Sequence, residues 1–552
     1  MKRTPTLWCA AIAAVALLGM SACGGSDVKS SSSSGGTLTI QGDTGNPTLV
    51  ENFNPFAGSA LHGNFLIYEP LEIPSPVDGS YAPFLATDYK FSDPTTLVYT
   101  IRPNVKWSDG KAFSVGDVVF TFNMLKQFPA LDTRGIWAQV SNVAGSGNTF
   151  TVTLKQPNVP FASQIAQVPI VPQHVWSSVA DPTKYTDTKP VGTGPFMLDT
   201  FAPTQYKLKK NPNYWQADKI APSEVAFPAQ ASNQATNQLD VTSGKFDWAY
   251  TFLPDVKTTY VNRDPAHNSY WFPPGGTIGL FLNLTKAPNN NLNFRKGISE
   301  SLNRTTIATK AVNGYLDQAS MSGLILPNLQ KWLDPSIPNQ GQIAPNASQA
   351  QQDFAQAGFH KSGSKLVDAA GKQVAMTIVL PGPFSDWVAA SKEIVTELGQ
   401  VGIKASLDLP QYPQYATATQ GGTFDGAIGG FGGSGDPYTD FNNALNSSFA
   451  TAVNTPTVNN FERFKDPAVD QALGTLAAAT DPNAQKQATF QLEQMMFNQV
   501  PIVLLYYGGS WGLFRDNNFT GWPSANDPYT LPTNYNNDML VVMTHLKKAT
   551  KA

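Results

Sequence analysis

The chain has 552 residues, 44 glycines, 42 prolines, two cysteines and a formal net charge of −3. That charge offers no basic face for nucleic acid or anionic lipid, and the length suits two or three domains. Both cysteines, Cys9 and Cys23, lie near the start, so the rest of the chain holds no disulfide. The roughly 520 residues behind them are enough to bury a large apolar core instead.

In chain order, Lys2 and Arg3 precede an apolar run from Leu7 to Met20. This is an export signal, too short to span a bilayer comfortably and excluded from the fold. It ends MSACG at 20–24. That stretch resembles a bacterial lipobox, with Met20 where Leu is usual. The resemblance implies a signal peptide over 1–22, diacylation of Cys23 and attachment to the outer face of the bacterial cytoplasmic membrane. The alternative is an ordinary signal-peptide cysteine with cleavage elsewhere. The Gly/Ser-rich stretch 23–36 then reads as a soft tether.

Period-two alternation predicts strands at 37–41, 97–101, 149–154 and 376–380. Ser114 is a candidate cap for a helix over 117–126, with Val118, Phe122 and Leu125 on one face. Longer amphipathic helices are expected at 294–312, 387–401 and 485–497. Dense Pro/Gly punctuation between mixed elements points to α/β or α+β domains with long connections.

Catalytic and metal signals are sparse. The five histidines, at 62, 174, 267, 360 and 545, show no i, i+4 pairing with another ligand type. Isolated acids stay open as catalytic groups, because spacing in sequence does not report proximity. The expectation is no cofactor and no metal.

The stretch GGFGGSGDPY at 429–438 has three readings. It formally fits the G-x-G-x-x-G phosphate loop of dinucleotide-binding folds. Six of the ten residues 426–435 are glycine, so the fit is nearly forced, and the next acid after Asp440 is Glu462, with no clear strand between. It also fits a flexible linker. The third reading depends on a wider resemblance.

Several motifs occur in order: DGSYAPFLA at 78–86, YTIRPNVKWSDG at 99–110 with SVGDVVF at 114–120, VGTGPF at 191–196, NPNYW at 211–215, Leu239 through SGKFD at 243–247, and FLN at 281–283 with FRKGISESLNR at 294–304. Together they resemble family 5 of the extracellular solute-binding proteins, the dipeptide-, oligopeptide- and nickel-type receptors of ABC importers. Structural roles are expected for most of these residues. Ser108, Asp109 and Gly110 form a hairpin turn, Gly192 and Gly194 allow a tight strand entry, Tyr214 and Trp215 anchor packing, and Arg304 serves the negative pole of a helix.

The resemblance implies an α/β, two-lobed periplasmic-binding-protein-like fold of class II type, with a small extra domain in the first lobe. Mapped here, lobe one takes 37–75, 191–281 and 511–548, the extra domain takes 76–190, and lobe two takes 282–510. The hinge crossings fall near 278–283 and near 510. Such a monomer closes on a solute, performs no chemistry on it and docks on membrane permease subunits. Peptides or peptide-like oligomers are the expected cargo.

The same resemblance makes 429–438 the floor of the cleft. Gly430, Phe431, Gly432, Gly433 and Tyr438 are then ligand-lining, with Phe56, Ala57, Gly58, Trp271, Thr277 and Trp387, while Asp436 caps the following helix. Peptide receptors of the family usually carry an acid just before the DP turn. Here no acid lies between Asp425 and Asp436, and no Lys or Arg lies between Lys404 and Glu462. A buried ammonium without a partner costs several kcal/mol, roughly. A neutral oligosaccharide or other uncharged solute is therefore the alternative cargo, and an exported enzyme or surface scaffold on the same fold is a third possibility.

Overall fold

The structure is a computed structural model that describes residues 35–43, 46–231 and 233–550. The expected signal, Cys23 and nearly all of the tether lie outside these residues. Four larger sheets organise the rest. The first runs Thr37–Thr39, Glu224–Pro228, Gln205–Lys210, Phe196–Ala202. The second places the late strand Gly512–Arg515 between Trp248–Tyr250 and Asn268–Trp271. The predicted first strand joins these two sheets, because Thr39 pairs with Ala226 while Ile40 bridges to Trp248.

The third sheet has five strands, in the order Lys404–Asp408, Ala375–Val379, Gly426–Phe431, Pro274–Leu282, Ile502–Gly509. Its interior strand Pro274–Leu282 is buried continuously from Thr277 to Leu282, the signature of a strand covered on both faces. The fourth sheet is antiparallel, in the order Ala86–Asp93, Thr96–Ile101, Thr149–Leu154, Val140–Ser146. There Thr96–Ile101 and Thr149–Leu154 alternate buried and half-buried residues, as their period-two pattern predicts. Helix Val115–Gln127 packs beside this sheet, and Ser114 and Asp117 form a reciprocal capping box at its start.

Two large apolar cores result. One gathers residues from Leu38 to Phe227 with Trp248 and the segment Phe514 to Leu546, and it runs without a break through the fourth sheet. The other gathers Ile278 to Tyr507 around the five-stranded sheet. The first crossing between them differs from expectation. Residues 278–283 lie inside the second core, because strand Pro274–Leu282 pairs along its length with neighbours of that core. The chain crosses earlier, at 272–273, and returns at 510–511, near the expected position; there the Ser510 amide donates to the Pro273 carbonyl at 2.8 Å.

The helix expected over 294–312 is two helices, Leu292–Ser301 and Arg304–Val312. Asn303 breaks it: its side chain accepts from the Thr306 amide and caps the second helix, and Glu397 accepts from the Asn303 amide. Arg304 therefore opens a helix rather than ending one. Its guanidinium still reaches back to the Ser299 carbonyl and hydroxyl, at 2.9 and 2.7 Å, and to the Leu504 carbonyl at 2.7 Å. Arg295 does the same for helix Pro482–Gln499, donating to the Gln499 and Val500 carbonyls at 2.8 and 2.9 Å. Both arginines are buried, and desolvation lowers their pKa to about 10. The arginines of the FRKGISESLNR motif are thus clamps on helix C-termini.

Other motif residues also have structural reasons. Gly110 sits at φ 87° in the predicted turn. Trp215 donates from Nε1 to buried Glu69 at 2.9 Å and lies 3.8 Å below the Arg102 guanidinium. Gly192 and Gly194 are needed for close approach: a Cβ on Gly192 would lie 1.8 Å from the Ile67 carbonyl oxygen. Replacing Gly192 by Ala forces that carbonyl away. Gly192→Ala is expected to cost about 1–3 kcal/mol of stability, read by urea denaturation; an unchanged midpoint would refute the close-approach account.

Candidate functional site

A groove lies between the two cores. One cavity, of about 200 Å³, is walled by Phe56, Asn64, Tyr68, Arg134 and Asn537 on the first core. A larger one, of about 640 Å³, separates the inserted segment (Arg134, Gln139, Asn158, Gln164) from the helices at 437–478 (Tyr438, Asn442, Asn443, Asp470). A third, of about 170 Å³, lies between Tyr81, Tyr89 and Ser163 on one side and Ser434, Gly435 and Tyr438 on the other. A fourth, of about 240 Å³, opens beside Gly430, Phe431, Gly432 and Asn443. The first two share Arg134, the second and third share Tyr438, and the second and fourth share Asn443. The four thus adjoin one another through shared walls, and the second and third have walls from both lobes.

Several expected site residues meet here. Phe56 is buried edge-on against Trp176, with ring centroids 5.9 Å apart. Gly430 is exposed with open space where a side chain would stand. Phe431 is buried next to Phe441, and Tyr438 is half-buried where two cavities join. Gly432 lines the fourth cavity as well, whereas Ala57, Gly58, Trp271, Thr277, Trp387 and Gly433 line none of the four. Ala57 and Gly58 lie on the loop beyond Phe56, with Gly58 exposed. Trp271 packs on the first core, and Thr277 is buried opposite Phe431 and Tyr507. Trp387 belongs to an aromatic group with Phe384 and Tyr415, at 5.2 and 6.4 Å.

Gly433 is fully engaged by protein. At φ 102° its α-carbon faces the hinge strand, where a Cβ would lie 2.3 Å from the Gly275 carbonyl oxygen. Its amide donates to Asp440 Oδ2 at 3.2 Å, and the Ser434 amide donates to Oδ1 at 3.1 Å. Asp436 caps helix Pro437–Leu445 as expected, accepting from the Tyr438 and Thr439 amides at 3.3 and 3.0 Å. These contacts remove the phosphate-cradle reading. The amides such a cradle would aim at a ligand are held by Asp440, and the helix start is already capped. They equally remove the linker reading, since the loop is tied at both ends.

The sequence argument missed Arg134. Gly135, at φ 66°, and Asp132 build the turn that presents it, the Asp132 carboxylate accepting from the Ile136 and Trp137 amides, each at 2.8 Å. Arg134 is open to water, yet the surrounding protein desolvates it enough to lower its pKa. It donates to Gln164 Oε1 at 3.3 Å and pairs with no carboxylate among the described residues. A legible signal did exist: an arginine inside an Asp-x-x-Gly turn. The described residues contain no group of three His, Cys, Asp or Glu able to hold a metal ion, and no helix among them is long and apolar enough to cross a membrane.

Burial pushes the Asp440 carboxyl up to about 7, against the opposing pull of the two amides it accepts from. A folded-state pKa above the unfolded one means the native state holds the extra proton between about pH 4 and pH 7. Stability from this group is full below pH 4 and falls as the pH rises toward 7. Asp440→Asn removes that dependence and aims an N–H at an amide. The variant is expected to lose about 1–3 kcal/mol at pH 5 and to show a flatter pH profile by thermal denaturation; an unchanged slope would refute this role for Asp440.

The chain is 25% identical over 535 residues to the probable peptide-binding protein YejA of Agrobacterium fabrum, covering 86% of this chain and 84% of that one. A periplasmic oligopeptide-binding protein of Thermotoga maritima superposes with a TM-score of 0.84 at 23% identity, over 93% of this chain and 99% of its own. A mannohexaose-bound structure described in the same terms superposes at 0.77 with 24% identity, over the same shares. These likenesses establish the two-lobed α/β fold of class II type that the motifs implied. The model of the bacterial extracellular solute-binding proteins, family 5 (Middle), matches residues 80–452. The chain belongs to family 5 of the bacterial extracellular solute-binding proteins.

Proposed function

We propose that this protein captures a peptide or peptide-like oligomer in the groove between its lobes, closes the lobes over it and delivers it to an ABC permease. Unpaired Arg134 inside that groove carries the reading. A guanidinium partly shielded from water and lacking a carboxylate is a ready partner for a ligand's terminal carboxylate. It supplies, from the first lobe, the charge that the sequence near 429–438 lacks. The peptide-binding relative supports the same cargo. Phe56, Gly430, Phe431 and Tyr438 join Arg134 as the ligand-facing set. In this scheme lobe one comprises 37–75, 191–273 and 511–548, the inserted domain 76–190, and lobe two 274–510.

The amide-rich wall of the largest cavity favours a second cargo, a neutral oligosaccharide. Gln139, Asn158, Gln164, Asn442 and Asn443 both donate and accept, as hydroxyl-rich ligands require. A thermal-shift screen separates the two, because bound ligand raises Tm by mass action. Peptides with a free carboxylate are expected to raise Tm, and amidated peptides less so. Sugars raising Tm while peptides fail would hand the function to the second reading. Arg134→Ala is expected to weaken carboxylate-bearing peptides about 10- to 100-fold in calorimetry and to leave amidated ones nearly unchanged.

The lipobox-like MSACG at 20–24 supports anchoring through Cys23. Labelling with palmitate is expected in the wild type and lost in Cys23→Ala; persistent labelling would refute the anchor.

A further inference from the structure

The hairpin of Glu72–Pro74 and Tyr81–Pro83 belongs to the first core through Ile73 and, just beyond it, Phe84. Its tip is stiff. Ser75 and Ser80 bond across it at 2.7 Å, the Gly79 amide donates to the Ser75 carbonyl at 2.8 Å, and Asp78 accepts from the Ser80 amide and hydroxyl at 3.0 and 2.7 Å. The tip lies against the second lobe. Lys331 Nζ donates to the Asp78 carbonyl. Asn328 Nδ2 donates to the Pro76 carbonyl at 3.4 Å and to the Pro274 carbonyl, just past the first crossing, at 3.1 Å. Gly435 completes the seat: a Cβ there would lie 2.6 Å from Pro76 Cα and 3.0 Å from the Ser75 carbonyl oxygen. Gly79 approaches from the other side, with its Cβ direction 3.2 Å from the Gly435 carbonyl oxygen.

We propose that residues 75–79 are a strap that ties lobe one to lobe two beside the two covalent crossings and limits how far the groove opens without ligand. The contact joins two different cores, so it persists only while the lobes are together. Its polar bonds all run to backbone carbonyls of the tip, so it recognises the shape of the turn rather than side chains that vary freely. Gly79, Lys331 and Gly435 also wall the 170 Å³ cavity, so releasing the strap unseals that end of the groove. A tie of this kind raises the share of closed protein before ligand arrives and so tightens apparent affinity for any cargo. The inference rests on the two-lobed fold and not on cargo identity, so a failed ligand screen does not touch it.

Hydrogen exchange on the full chain, without added ligand, tests the strap from both sides. In the double variant Asn328→Ala/Lys331→Ala, amides at 75–80 and at 435–436 are expected to exchange about tenfold faster. The second segment is the decisive one, since neither substitution touches it directly. Gly435→Ala is expected to speed exchange at 75–80 from the opposite side. In both variants, segments 159–163 and 485–489, which face each other across the cavity, are expected to speed up together. If each variant alters exchange only at its own site, or the facing segments stay unchanged, the strap does not tie the lobes.

Discussion

The double passage of the chain between its two cores is the constraint on which the rest depends. Strands Pro274–Leu282 and Ile502–Gly509 lie side by side in one sheet, so the chain must leave and re-enter the first core at neighbouring points. The hydrogen bond from the Ser510 amide to the Pro273 carbonyl fixes that adjacency. Re-entry then places Gly512–Arg515 in the middle of a sheet whose other strands come from more than two hundred residues earlier, roughly. The second core is complete once the chain reaches Tyr507, but the first must wait for the segment up to Leu546. Two cores joined by two short segments can rotate about them, and a groove between the cores follows from the topology.

Electrostatics divide the molecule unequally. The cores contain buried carboxyls with little compensation: Glu462 is buried with neither oxygen hydrogen-bonded, and burial pushes it up to about 8. Glu69 and Glu72 rise to about 7 for the same reason. The buried arginines, by contrast, are satisfied by carbonyls. The large cavity is different again, lined by neutral amides with Arg134 and Asp470 as its charges. Asp470 already accepts from the Ser447 amide, so Arg134 is the charge left for a ligand to meet.

What could be read from sequence were features whose cause is local. The capping box at Ser114 and Asp117, the Gly110 turn, the alternating strands and the Asp436 cap all depend on residues within a few positions of one another. What could not be read depends on distant segments. Gly192 is glycine because of Ile67, and Gly433 is glycine because of Gly275. The break at Asn303 was written locally as a cap, but helical periodicity on both sides concealed it. Arg134 escaped because its significance is the absence of a partner, and no pattern in sequence reports which carboxylates stay away.

The glycine-rich stretch 429–438 shows how one composition serves separate ends. Gly430 leaves open space toward the groove, whereas Gly433 and Gly435 fill close backbone contacts with Gly275 and Pro76. A side chain at the first would occupy room available to ligand; at the other two it would push apart segments of different strands or lobes. Asp440 then fixes the loop by taking the amides of Gly433 and Ser434. The loop is thereby held by the protein and is not free to fold around its cargo. Lobe closure, rather than rearrangement of this loop, is left as the motion that buries the ligand.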